Sequence, residues 1–168
     1  MADQDGLLLR ALQYEEGHPR RSGHILKVLA LAGMIGREEG LSEEEQMILE
    51  AAAILHDIGI KPCKEKYGTA SQELQKKEAP AIAREFLDDC GYPASWVEKI
   101  TRLIQVHHDY DHIDGMEYQI LVEADLWVGA LEEEWTQEKI QERAKLFRTE
   151  TGKALFSATV HSPAVREQ

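Results

Sequence analysis

Several polar residues interrupt apolar helical stripes at positions where their solvation would be lost. His56 follows Ile48, Leu49, Ala52 and Ala53 at offsets of eight, seven, four and three, which puts it on the inward face of a helix. Asp57 stands beside it, just before Gly59. Asp125 has Leu121 and Val122 a turn before it and Val128 and Gly129 a turn after it. His24 precedes Val28 and Leu31 by one and two turns, and His107 follows Ile100, Leu103 and Ile104. A carboxylate on such a stripe loses several kcal/mol of solvation unless a cation or good donors meet it. Imidazole nitrogens and carboxylate oxygens together suit a divalent ion of intermediate hardness: manganese, iron, cobalt, nickel or zinc, with magnesium less natural at two histidines. Such an ion also acidifies a bound water. Taken singly, each residue reads better as a core histidine with one satisfied hydrogen bond, or as an aspartate that caps a helix or pairs with an arginine. Adjacent His56-Asp57 combined with Asp125 on a later helix favours the metal.

The elements that must position these residues are helical, since apolar residues recur at helical spacing and no strand-like alternation stands out. The pattern predicts helices over 7–16, 21–38, from Ser42 to about Gly59, 72–90, from Pro93 to 108, 116–131 and 136–148. Ser42 with Glu45 forms a capping box for the third of them. Residues 61–71, with Pro62, Gly68 and three lysines, read as a loop, and Pro80 threatens the helix that follows. Residues 109–115 read as a polar surface loop, and those after Gly152 as weakly patterned. No repeat or linker divides the chain, so one all-α domain over 1–168 is expected.

In order along the chain, His24, His56-Asp57 and Asp125 resemble the HD-domain superfamily of metal-dependent phosphohydrolases. The likeness extends to flanking residues: Arg21-Ser22-Gly23-His24-Ile25, Ala52 through Gly59 around the HD pair, Ile82 to Leu87, Val106-His107-His108-Asp109 and Val122 to Leu126. It covers roughly residues 18–135. The resemblance implies about five core helices with peripheral N- and C-terminal helices. It also implies His24, His56, Asp57 and Asp125 as metal ligands, and hydrolysis of a phosphate ester, commonly in a nucleotide. The chain departs from dinuclear members, which carry a further histidine between the HD pair and the later histidine pair; here that region offers Gln75 and Glu78. One ion is therefore expected. A second, held by His107, His108 and Glu78, is the alternative to His107 and His108 contacting substrate or water.

On this reading a metal-activated water attacks phosphorus, and His108 or Glu78 takes or positions its proton. Cations must then steady the phosphoryl oxygens. Arg21, one turn before His24, is the first candidate, with Arg20 as its neighbour. Lys61, directly after the HD helix, is the second, whereas Lys64 and Lys66 read better as a solvated face. His18, His112 and His161 receive no role, and Trp127 is expected in the core. A dinuclear iron oxygenase and a non-catalytic metal or nucleotide sensor are the competing readings. The sensor gains if Arg21 and Lys61 face away from the site.

Composition narrows the partners. The 19 basic and 31 acidic residues give a net charge of −12, which disfavours a long nucleic acid or an anionic membrane and tolerates one small phosphorylated substrate. The longest apolar run, 28–35, falls far short of the roughly 18–20 residues of a membrane span. The acidic first residues lack the pattern of a signal peptide. Two cysteines, Cys63 and Cys90, form no disulfide framework or CxxC motif. A cytoplasmic enzyme, by size a candidate homodimer, is the expectation.

Overall fold

The computed structural model describes residues 1–160, and those residues form nine helices and no strand. They are α1 (Gln4–Tyr14), α2 (Pro19–Glu38), α3 (Glu43–Leu55), α4 (Ile60–Tyr67), α5 (Gln72–Asp89), α6 (Ala94–Val106), α7 (Met116–Glu132), α8 (Gln137–Ala144) and α9 (Glu150–Val160). The five long ones, α2, α3, α5, α6 and α7, make the core. There α2 packs on α3 and α7, α6 packs on α3 and α5, and α3 also packs on α7.

The packing follows from composition. In α3 every residue from Ile48 to Leu55 except Glu50 is buried, and α7 is buried from Tyr118 through Ala124. A helix apolar on nearly all faces must be enclosed by others. The capping box fixes where α3 begins: Glu45 N–H donates to Ser42 Oγ at 3.1 Å, and Ser42 N–H donates to Glu45 Oε2 at 2.8 Å. Close approach of α2 to α3 depends on a missing side chain, since a Cβ on Gly36 would lie 2.3 Å from Gln46 Oε1.

Residues 61–71 are not wholly a loop. Ile60 to Tyr67 form α4, with Cys63 fully buried. Pro62 falls in the first turn, where its missing N–H has no helical partner to lose. Lys64 and Lys66 fall in the last turn, where cations suit the dipole, and Gly68 closes the helix at φ +74°. Both features that suggested a loop are thus compatible with a short helix. Pro80 likewise leaves α5 unbroken. Its ring removes the donor for Lys76 O, and the Gln105 amide of α6 donates to that carbonyl instead at 3.1 Å.

The stretch after Gly152 is also helical, and the reason lies far away in sequence. Glu123 on α7 is fully buried. Its Oε2 accepts hydrogen bonds from Gln119 Nε2 at 2.6 Å, Arg148 N at 2.9 Å and Thr149 N at 3.0 Å, and its Oε1 accepts from Thr149 Oγ1 at 2.5 Å. This clasp ends α8 at Ala144 rather than 148 and starts α9. The remainder of the C-terminal stretch, including His161, lies outside the described residues. A Cβ on Gly152 would come within 1.8 Å of Oε1 of the Glu123 carboxylate, which four hydrogen bonds, one to Oε1 and three to Oε2, hold in place. Gly152→Ala is therefore expected to destabilise the protein by about 1–3 kcal/mol, the usual cost of overpacking. Chemical denaturation followed by circular dichroism would read this as a lowered midpoint at unchanged slope.

Candidate metal centre

Four helices deliver the polar residues to one point. His24 comes from the first half of α2, Asp125 from the middle of α7, and His56 is the residue that ends α3, with Asp57 in the turn that follows. His107 ends α6 in the same way, and His108 follows it. His56 and His107 make the same local bond: each Nδ1 donates to the carbonyl three residues back, Ala53 O and Ile104 O, at 2.7 Å. A carbonyl can only accept, so each ring keeps its Nε2 lone pair free to face inward.

The inward atoms lie close together. His24 Nε2 is 3.0 Å from His56 Nε2, 3.1 Å from Asp125 Oδ1 and 3.4 Å from Asp57 Oδ2. His56 Nε2 is 3.3 Å from Asp57 Oδ2 and 3.4 Å from Asp125 Oδ1. Ligands bound at about 2.0–2.2 Å around one divalent ion sit roughly this far from one another. Two imidazole nitrogens facing each other between two carboxylates need a cation between them, so this donor set fits a divalent metal. Asp57, His107 and His108 form a second group whose ligand atoms also lie within 4.8 Å of one another. In it His107 Nε2 is buried without a hydrogen-bond partner, 3.7 Å from Asp57 Oδ1.

Electrostatics give the same account. Burial pushes His24 down, yet its hydrogen bond to Asp125 and the charge of Asp57 leave its pKa raised. Burial opposes the charged form of His56 still more, but Asp57 and Asp125 hold it well above the usual histidine range. Burial would raise both aspartates, and the facing histidines hold them well below the usual carboxylate range. His108, by contrast, is pushed down to about 4, by burial first and by His107 second, so it is neutral near pH 7.

Around this cluster a cleft of about 520 Å³ opens between the α1–α2 turn, α4 and the end of α7, lined in part by Arg20, Arg21, His24, Asp57, Lys64 and Glu132. Arg21 lines this cleft, with Nε donating to Glu15 Oε2. Lys61 does not line the cleft. Its ammonium donates to Tyr14 O at 2.8 Å and sits 4.4 Å over the Tyr14 ring, and Lys64, one turn on, takes the place at the cleft. Glu78 is also directed elsewhere, accepting from Tyr67 Oη at 2.6 Å and Lys66 Nζ at 2.9 Å. It does not join the His107 and His108 group. Gln75 does line the small pocket beside those histidines.

One residue of the site escaped the sequence reading. Glu132 Oε1 accepts from His24 Nδ1 at 2.7 Å, which fixes that ring, and Oε2 accepts from Lys27 Nζ at 3.1 Å. The signal was present, since Glu132 lies seven residues after Asp125 and so shares its face of α7.

Comparison with known proteins fits this geometry. The profile of the HD domain family matches residues 21–148. The chain belongs to the HD domain family. It is also similar to the cyclic di-GMP phosphodiesterase response regulator RpfG of Xanthomonas campestris pv. campestris (strain 8004), with 42% identity over 52 residues. That stretch is 31% of this chain, and the chain spans only 13% of the length of that relative. No solved structure matches the chain. HD domains bind divalent metals, and the His and Asp groups described above are able to hold one.

Two expectations follow. Because the facing carboxylates raise His24 and His56, protons compete with metal for these nitrogens. Metal loading should release protons, and apparent affinity should fall as pH is lowered; titration calorimetry in buffers of different ionisation enthalpy measures both. Glu132→Gln should weaken metal affinity about 10–100-fold, the usual effect of losing a partner that orients a ligand, with the fold retained. Metal titration beside a thermal melt checks it.

Proposed function

We propose that this HD domain is a metal-dependent phosphohydrolase acting on a small phosphate ester, a nucleotide or related phosphomonoester, with residues 1–168 forming one catalytic unit. The observation that carries the reading is the convergence of His24, His56, Asp57 and Asp125 at 3.0–3.4 Å beneath a cleft that three cationic side chains line.

In this mechanism His24, His56, Asp57 and Asp125 hold the ion, and Glu132 keeps His24 in its ligating orientation. When bound, a divalent ion supplies Lewis-acid polarisation of a phosphoryl oxygen and acidification of water. His108, neutral and next to Asp57 and His107, is placed to accept the proton of the attacking water. Arg21 presents its guanidinium to the phosphoryl oxygens, in or out of line with the leaving group, while Arg20 and Lys64 raise the local positive potential. His107 steadies Asp57 or completes a second ion site with Asp57 and His108, which lacks a contribution from Glu78. Lys61 and Glu78 take no chemical step in this scheme.

The sensor reading would be favoured by cations turned away from the site. Lys61 is turned away, but Arg21, Arg20 and Lys64 line the cleft, which favours catalysis. The protein purified without chelator should carry metal and release phosphate from members of a panel of nucleoside mono-, di- and triphosphates. The name of the partial relative adds a cyclic dinucleotide to the panel. Asp125→Ala should lose both the metal and the activity. Full metal content in that variant would overturn the ligand assignment, and a tightly metallated wild type inert with every substrate would overturn the hydrolase.

A further inference from the structure

Glu15 is an acidic residue in an unfavourable place. It ends α1, where the helix dipole repels an anion, and it is only 2% exposed. Among the described residues the side chain that meets it is Arg21, whose Nε is 2.5 Å from Glu15 Oε2. The backbone brings them together, since His18 N–H donates to Glu15 O at 3.0 Å across a turn that needs Gly17 at φ +85°. Lys61 braces the same corner by binding Tyr14 O, one of the α1 carbonyls that the helix itself leaves unpaired.

Arg21 spends only Nε on Glu15. Its Nη groups have no hydrogen-bond partner among the described residues, and the side chain lines the cleft with His24 and Asp57. The cleft is also lined by Glu132 and Glu133. A guanidinium free to swing there would be drawn onto one of these carboxylates or onto Asp57. Arg20 and Lys64, which line the same cleft without ion pairs, are exposed and have no comparable restraint.

We infer that Glu15 is a positioning residue: it holds Arg21 by Nε so that the Nη edge stays directed at a phosphoryl group beside the metal cluster. This rests on the phosphohydrolase reading of the cleft. Its consequence runs against simple charge counting. Glu15→Gln keeps the shape of the side chain and makes the cleft more positive by one charge, so attraction alone predicts tighter anion binding. Positioning predicts weaker binding.

The test uses the manganese-loaded full chain. Inorganic phosphate affinity is measured by calorimetry, and kcat/KM on the best substrate of the nucleotide panel. Glu15→Gln is expected to lower both by about tenfold or more, the scale of one hydrogen bond to a charged group, at unchanged metal content. Because Glu15 acts through Arg21, adding Glu15→Gln to Arg21→Ala should cause no further loss. Arg21→Lys, which leaves Glu15 with a charged partner but loses the planar fork, should lose about as much as Glu15→Gln and covers the case in which that variant folds poorly. Equal or tighter phosphate binding by Glu15→Gln, additive losses with Arg21→Ala, or wild-type behaviour of Arg21→Lys would each overturn the positioning role. A wild type that neither binds phosphate nor hydrolyses any substrate would overturn the phosphohydrolase reading itself, and the inference with it.

Discussion

Two imidazole nitrogens 3.0 Å apart, with a carboxylate on either side, impose the condition to which the rest of this fold answers. Such a group is costly to bury unless cations fill it, and it can only be assembled if three separate segments, α2, the end of α3 and α7, are held in register. That explains why the ligands sit within helices or directly against a helix end: His24 and Asp125 within α2 and α7, His56 at the end of α3 and Asp57 in the turn that follows. It also explains why α3 and α7 are the most deeply buried helices. Their apolar faces fix the register on which the cluster depends. Each ring is further constrained from behind, His56 and His107 by a carbonyl of their own helix and His24 by Glu132.

Much of this was legible from residue order. Asp125 and His56 stand out because each interrupts an apolar stripe and the two combine with Asp57, and the five long helices follow from spacing, capping residues and glycine stops. What was not legible depended on contacts distant in sequence. The start of α9 is set by Glu123, which no local pattern announces because its partner Thr149 lies 26 residues further along the chain. Pro80 looked like a break because its missing hydrogen bond is repaired by Gln105, a side chain from another helix. Lys61 and Lys64 differ by a little less than one helical turn, so misreading α4 as a loop exchanged the one that braces α1 for the one that reaches the cleft. Glu78 was weighed by its place in the chain, but Tyr67 and Lys66 claim it.

The acidic balance of the chain takes on a specific meaning in this arrangement. A net charge of −12 repels anions at a distance, so a phosphate must be drawn in by a local field. Asp57 and Asp125 do not oppose that field when a divalent ion lies between them. Glu132 is balanced in part by Lys27 and His24. Arg20 and Lys64 remain without carboxylate partners at the mouth, and screening by salt confines their influence to about one Debye length, roughly 8–10 Å. On the proposed function, this combination would favour small anions that can enter the cleft over long ones that would also meet the acidic exterior.

Positive charge alone does not make a site for phosphoryl transfer, because the oxygens must be met at fixed positions as their charge changes. The cations of the cleft are restrained to different degrees. Arg20 and Lys64 are exposed and have no ion pair among the described residues, so they attract without orienting. Arg21 is tied at Nε to a buried carboxylate, and the turn that carries it is braced by Lys61 through Tyr14. The candidate metal ligands are therefore organised by α2, α3 and α7, and the proposed phosphate side of the cleft by the junction of α1, α2 and α4. His24, three residues after Arg21 on the same helix, joins the two: whatever fixes the start of α2 fixes the distance between the ion and the guanidinium, and with it the size of the group that can bridge them.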